Sequence, residues 1–206
     1  MSQKGSNFER ETCRDISMWY SNGLHDDWYW RTAMSGGMAT VRGRIGKTTT
    51  GHYGDITATC PEAASLTKLC CIELKIGYGD WDILDVIDCL KDGTRYPIDD
   101  FLDQALEQSR NAGTKWAILI FKKDRRDKCI CFQSGLYERL AHHFHKPELD
   151  RYLTFRRNEC EDPWIVMKLE KFFSWVSPDY FKGPVWIPPE QRQADKSVRF
   201  TRRRDL

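Results

Sequence analysis

The clearest alternation in the 206-residue chain is LCCIELKIG at 69–77. There Ile72, Leu74 and Ile76 fall on one face of an extended strand, and Glu73 and Lys75 on the other. Elsewhere the spacing turns helical. Phe8, Thr12, Ile16 and Trp19 recur every three or four residues, which predicts a helix over 7–22 closed by Gly23. Residues 28–34 and 55–60 alternate as strands, and PEAASLTK reads as the turn region joining 55–60 to 69–77. Helices are predicted at 80–91 and at 98–111, where Ile98, Leu102, Ala105 and Ser109 share a face that Gly113 closes. KWAILIFKK at 115–123 is a buried strand, the turn DRRD leads to another at KCICF, and helices recur around 135–146 and 163–175. The segment 35–54, rich in glycine, threonine and basic side chains, reads as a long loop.

This order predicts an α/β fold with a mixed sheet flanked by helices. A core is expected over 1–138, a mainly helical C-terminal extension over 139–190, and a basic tail, extended or partly disordered, over 191–206. Hydrophobic residues make up 40%, enough to fill a real core. Trp28, Trp30, Trp116, Trp164 and Trp175 are assigned to it. No apolar run approaches the roughly 18 residues that span a bilayer, and the polar N-terminus lacks a secretory pattern, so a cytoplasmic protein without membrane partners is expected. In that setting the eight cysteines read as reduced and structural. Cys129 and Cys131, with His142, His143 and His145 downstream, lack zinc-finger spacing, although a structural zinc protein stays open as an alternative.

Net charge is only +2, but it is unevenly spread. No acid occurs from Trp28 to Gly54, where Arg31, Arg42, Arg44 and Lys47 are candidate phosphate contacts, whereas acids dominate 80–107. If 55–60 and 69–77 pair antiparallel about position 64, Asp55 stands opposite Glu73, within about 5 Å at Cβ. Two carboxylates that close call for a cation between them. Mg²⁺, for which Mn²⁺ substitutes, takes one or two carboxylates plus water and substrate phosphate. Lys75 on the same face is placed to support an attacking water or a phosphate charge, and the set points to phosphodiester hydrolysis.

Gly54-Asp55 followed by Glu73-Leu74-Lys75 resembles the PD-(D/E)xK nuclease motif, with glycine in place of the motif's proline. Gly5-Ser6-Asn7-Phe8-Glu9-Arg10 is similar to the start of archaeal-type Holliday junction resolvases, and Ser35-Gly36-Gly37 to their serine-glycine element. The resemblance covers roughly 5–135. It implies a restriction-endonuclease-like core, a metal site of Asp55, Glu73, the Leu74 carbonyl and Glu9, and catalytic roles for Asp55, Glu73, Lys75, Glu9 and Ser35. It also points to a glutamine in the helix before 115–123, either Gln104 or Gln108. The implied protein is a Mg²⁺-dependent endonuclease acting on branched DNA, four-way junctions above all, as a homodimer in recombination, repair or phage DNA processing. The alternatives are a less selective repair or restriction nuclease, and a catalytically inactive DNA-binding module of the same fold.

Overall fold

The computed structural model describes residues 3–32, 53–77, 96–144, 152–157 and 161–183. Ser35, Arg42, Arg44, Lys47, the helix expected at 80–91 and the basic tail lie outside them.

The described elements run, in chain order, α1 (Gln3–Tyr20), β1 (Tyr29–Arg31), β2 (Ile56–Ala58), α2 (Ala64–Leu69), β3 (Cys70–Ile76) and α3 (Pro97–Ala112). There follow β4 (Trp116–Lys122), β5 (Cys129–Gln133), α4 (Ser134–Phe144), β6 (Leu153–Phe155), β7 (Trp164–Lys168) and α5 (Leu169–Trp175). Two short 3-10 turns, Pro61–Ala63 and Pro178–Lys182, complete the set. A five-stranded mixed sheet has the order β3-β4-β5-β7-β6, with β3 parallel to β4 and the remaining pairs antiparallel. A separate two-stranded ribbon joins β1 to β2. The sheet flanked by helices is the fold that the patterning predicts.

Both faces of the sheet are covered. On one, Ile72, Leu74, Ile118, Ile120, Ile130 and Phe132 pack with Phe8 and Ile16 of α1, Leu136 of α4 and Phe172 of α5. On the other, Ala117, Leu119 and Cys131 pack with Ile98, Leu102 and Ala105 of α3. This double covering explains why β4 reads as a continuous apolar run. The α3 helix starts on Pro97, with Tyr96 N–H donating to Asp99 Oδ2 at 3.1 Å, and ends at Gly113 in the left-handed conformation (φ +66°). Gly23 closes α1 in the same way (φ +85°).

Three local expectations are corrected. PEAASLTK is a 3-10 turn and a helix, begun by Pro61, so β2 and β3 do not form a hairpin; β2 pairs with β1 instead. Residues 164–168, expected as helix, form β7, because Trp164 and Ile165 fill the two opposite cores in strand alternation while pairing with β5. The C-terminal region, helical around β6 and β7, thus supplies two strands of the main sheet. Trp30, expected in the core, is 49% exposed, whereas Trp116 and Trp164 are buried. Cys13, Cys70, Cys71 and Cys131 are buried free thiols, and His142 and His143 are exposed on α4. Among the described residues, no helix is long and apolar enough to cross a membrane.

Candidate active site

The site lies at the edge of β3 that, among the described residues, pairs with no other strand. Leu69 and Gly77, which flank that strand, and every second residue between them turn their backbone groups toward β4, as Lys115 N–H to Leu69 O (3.0 Å) and Gly77 N–H to Lys122 O (3.0 Å) mark at its two ends. Ile72 and Leu74 therefore present N–H and C=O to the open edge, where unpaired groups need partners. The Asp55 segment supplies partners for two of them. Asp55 N–H donates to Ile72 O at 2.8 Å, and Asp55 Oδ2 accepts from Leu74 N–H at 2.7 Å. Since N–H and C=O of one strand residue point the same way, the Leu74 carbonyl faces the same edge as the Asp55 carboxylate.

Gly54 makes this approach possible. Its φ of +76° lies in a region closed to proline and strained for other side chains, and a Cβ there would stand 2.9 Å from Ile72 O. Its N–H, which proline would lack, donates to Gln108 Oε1 at 2.5 Å. The glycine in place of the motif's proline is thus matched by a buried glutamine that holds its peptide.

Glu73 points to the α3 side of the sheet and is 1% exposed. Its Oε1 accepts from both Lys75 Nζ and Gln104 Nε2, each at 2.6 Å. Lys75 also lies over the Phe101 ring, 5.7 Å from its centroid. Gln104 and Gln108, one helical turn apart, therefore reach both carboxylate-bearing segments: Glu73 directly, and Asp55 through the preceding peptide. The sequence pointed to one glutamine of the pair; the structure uses both. Nothing in the local pattern distinguishes them, since the contacts cross from one element to another.

Glu9, on α1, is 8% exposed, and its Oε2 lies 3.4 Å from Arg31 Nε; Arg31 Nη1 donates to Ser6 Oγ at 2.5 Å. Burial raises the Glu9 pKa, and the charge of Asp55 raises it further against the pull of Arg31 and Lys75. For Glu73, burial comes first and Asp55 second, against Lys75, and together they push the pKa up to about 8. Asp55 also acts there as hydrogen-bond partner of the protonated form. With the carboxylates ionised, Glu9 Oε2 and Glu73 Oε2 are buried without a hydrogen-bond partner. A buried Glu73 oxygen without a hydrogen-bond partner, an Asp55 carboxylate whose charge raises the pKa of both Glu73 and Glu9, and an edge carbonyl are a donor set that fits a hard divalent cation. Among the described residues, no three His, Cys, Asp or Glu side chains converge as a ready-made cage. The set is therefore the Asp55–Glu73 pair with the Leu74 carbonyl alongside, and Glu9 facing Asp55.

The expected antiparallel hairpin does not exist, yet Asp55 and Glu73 meet. Asp55 reaches β3 as a cap on its edge, not as a ladder partner across a turn.

Comparison with known proteins fits this arrangement. The family described as "Phage putative PDDEXK endonuclease" matches residues 1–183. Neither a curated protein nor a solved structure matches the chain. With most of the chain matched, and with the aspartate, glutamate and lysine of the motif gathered at one strand edge, the chain belongs to this family of phage PDDEXK endonucleases.

Proposed function

We propose that the protein is a Mg²⁺-dependent DNA endonuclease that cuts branched duplexes, four-way junctions foremost, as a homodimer in the cytoplasm. The observation that carries the reading is the convergence of Asp55, Glu73 and Lys75 at that edge of β3. Asp55, Glu73 and the Leu74 carbonyl would hold the cation, with Glu9 completing the site. A bound divalent cation supplies Lewis-acid polarisation of a phosphoryl oxygen and a more acidic water. Lys75 Nζ, fixed against Glu73 Oε1 at 2.6 Å, orients the attacking water or takes up charge developing on the phosphate. Gln104 occupies the same Glu73 oxygen, which leaves Oε2 for the cation. The sequence resemblance gives Ser35 a catalytic role, and charge assigns the basic residues Arg31, Arg42, Arg44 and Lys47 to the substrate backbone. Two cuts per junction call for two active sites, which an isologous pair supplies.

The test is cleavage of a labelled four-way junction, a linear duplex and a single strand by purified protein with Mg²⁺, beside Lys75→Ala. Symmetric junction cuts that fall by about 100-fold or more in the variant support the full reading. Equal cutting of every substrate supports the less selective nuclease instead. Tight junction binding without cutting overturns catalysis in favour of a binding module.

A further inference from the structure

Trp30 stands apart from the other tryptophans described. It is 49% exposed, although the preceding Tyr29 is buried and the following Arg31 partly so, and an indole is ordinarily among the most covered of side chains. Strand alternation gives the reason. Tyr29 and Arg31 point to α1, where Tyr29 is buried and Arg31 meets Ser6 and Glu9, so Trp30 projects from the opposite face of the ribbon.

The ribbon that carries the indole leads to the candidate active site. Trp30 pairs with Thr57, and the ladder continues through Thr32 N–H to Asp55 O at 2.9 Å. Asp55 is two residues from Thr57, so its backbone lies diagonal to that of Trp30, at about 7–8 Å for such pairs, a distance that a large aromatic ring spans. The ribbon is firmly held: Tyr29 OH donates to Ala63 O at 2.8 Å, Tyr29 N–H to Ser17 Oγ at 2.9 Å, and Thr59 N–H to Trp28 O at 3.0 Å. The indole is thus an exposed apolar plate on a rigid support beside the catalytic aspartate. The sequence from Trp28 to Gly54 also carries no acid, which favours a polyanionic partner.

We propose that Trp30 receives an unpaired nucleobase beside the scissile phosphate, which makes DNA with unpaired or unstacked nucleotides next to the cut the substrate class. The proposal rests on the endonuclease reading above. In continuous duplex every base is already stacked within the helix, so the indole has nothing to take up; at a branch, flap or gap, a base is free to stack on it. Aromatic stacking tolerates any base, so Trp30 selects for DNA structure and not for sequence.

The experiment uses the full chain with Trp30→Ala and Trp30→Phe, first for binding and then for cutting. Exposed substitutions of this kind leave the fold intact, which melting curves verify. Binding is read without added metal by tryptophan quenching and anisotropy on an oligothymidine, a gapped duplex and a continuous duplex. Trp30→Ala is expected to weaken binding to the first two by about 5- to 100-fold, to leave the continuous duplex within about 3-fold, and to remove part of the quench; Trp30→Phe recovers most of the affinity. With Mg²⁺, the KM for gapped substrate rises in Trp30→Ala while kcat stays within about 3-fold. Equal binding of all three DNAs by wild type and Trp30→Ala overturns the proposal, as does an equal loss on all three. If the wild type cuts nothing and the Trp30-dependent binding persists, the endonuclease reading fails and the Trp30 assignment stands.

Discussion

Replacing Glu73 by glutamine should stabilise the metal-free protein, and more strongly as pH rises. Burial and the Asp55 charge lift the Glu73 pKa from 4.5 to about 8. Between those values the folded state keeps a proton that the unfolded chain has released, so stability falls as pH rises through the window and the loss is complete above the folded value. At about 1.4 kcal/mol per pH unit, the loss at pH 7 is about 3 kcal/mol, with a ceiling near 5 kcal/mol above pH 8. Asp55 and Glu73 share the penalty, so about 2 kcal/mol is the expected gain from removing one charge. The introduced amide would keep an oxygen to accept from Lys75 and Gln104 and would place an NH₂ group toward Asp55. In a chain of this size the gain corresponds to a rise of about 4–8 °C in Tm. Circular-dichroism melts of wild type and Glu73→Gln, in EDTA at about pH 5 and about pH 8, check it. The Tm difference should be near zero at the lower pH and favour the variant at the higher, and Mg²⁺ should raise the Tm of the wild type alone. A difference that ignores pH, or a variant less stable at the higher pH, would refute the account of Glu73 as a strained, proton-holding carboxyl.

Cation binding requires that proton to leave. Mg²⁺ affinity should therefore climb between about pH 6 and pH 8, and calorimetry in buffers of different ionisation enthalpy should find about one proton released per cation near pH 7. Gly54→Ala would put a methyl group 2.9 Å from Ile72 O in a left-handed backbone. It should cost about 2 kcal/mol in urea unfolding, and cleavage should fall with it as Asp55 is displaced. Gln108→Leu leaves the buried Gly54 N–H without its acceptor, so a loss of about 1–3 kcal/mol is expected. Its kcat should drop by about 10-fold or more at nearly constant KM, because Gln108 acts on Asp55 position and not on DNA. A change confined to KM would show that Gln108 contacts substrate.

The motif was legible because it is local. Period-two alternation put Glu73 and Lys75 on one face of β3, and helical spacing with Gly23 and Gly113 marked α1 and α3. How Asp55 reaches Glu73 was not. Turn and short helix look alike at PEAASLTK, and the choice there decided whether β2 would pair with β3 or with β1. The apolar run at 164–168 fits helix or strand by pattern alone; pairing with β5 and burial on both faces made it a strand. The fate of Glu73 itself was a tertiary matter. Sequence placed it opposite a core face, and only the packing of α3 over that face buried it, raised its pKa and brought Gln104 to it.

The sequence by itself determined which side chains this site can use: two carboxylates and a lysine at fixed strand positions, and a glycine where the motif has proline. Tertiary structure decided how they meet. The backbone groups on a sheet edge have to be satisfied, and Asp55, immediately before β2 of a separate ribbon, satisfies the Ile72 carbonyl and the Leu74 N–H. Edge satisfaction and helix packing depend on residues far apart in the chain, so no local pattern records them. The same holds for Trp30: its residue type is that of a core side chain, and only the seating of the ribbon on α1 turned it outward.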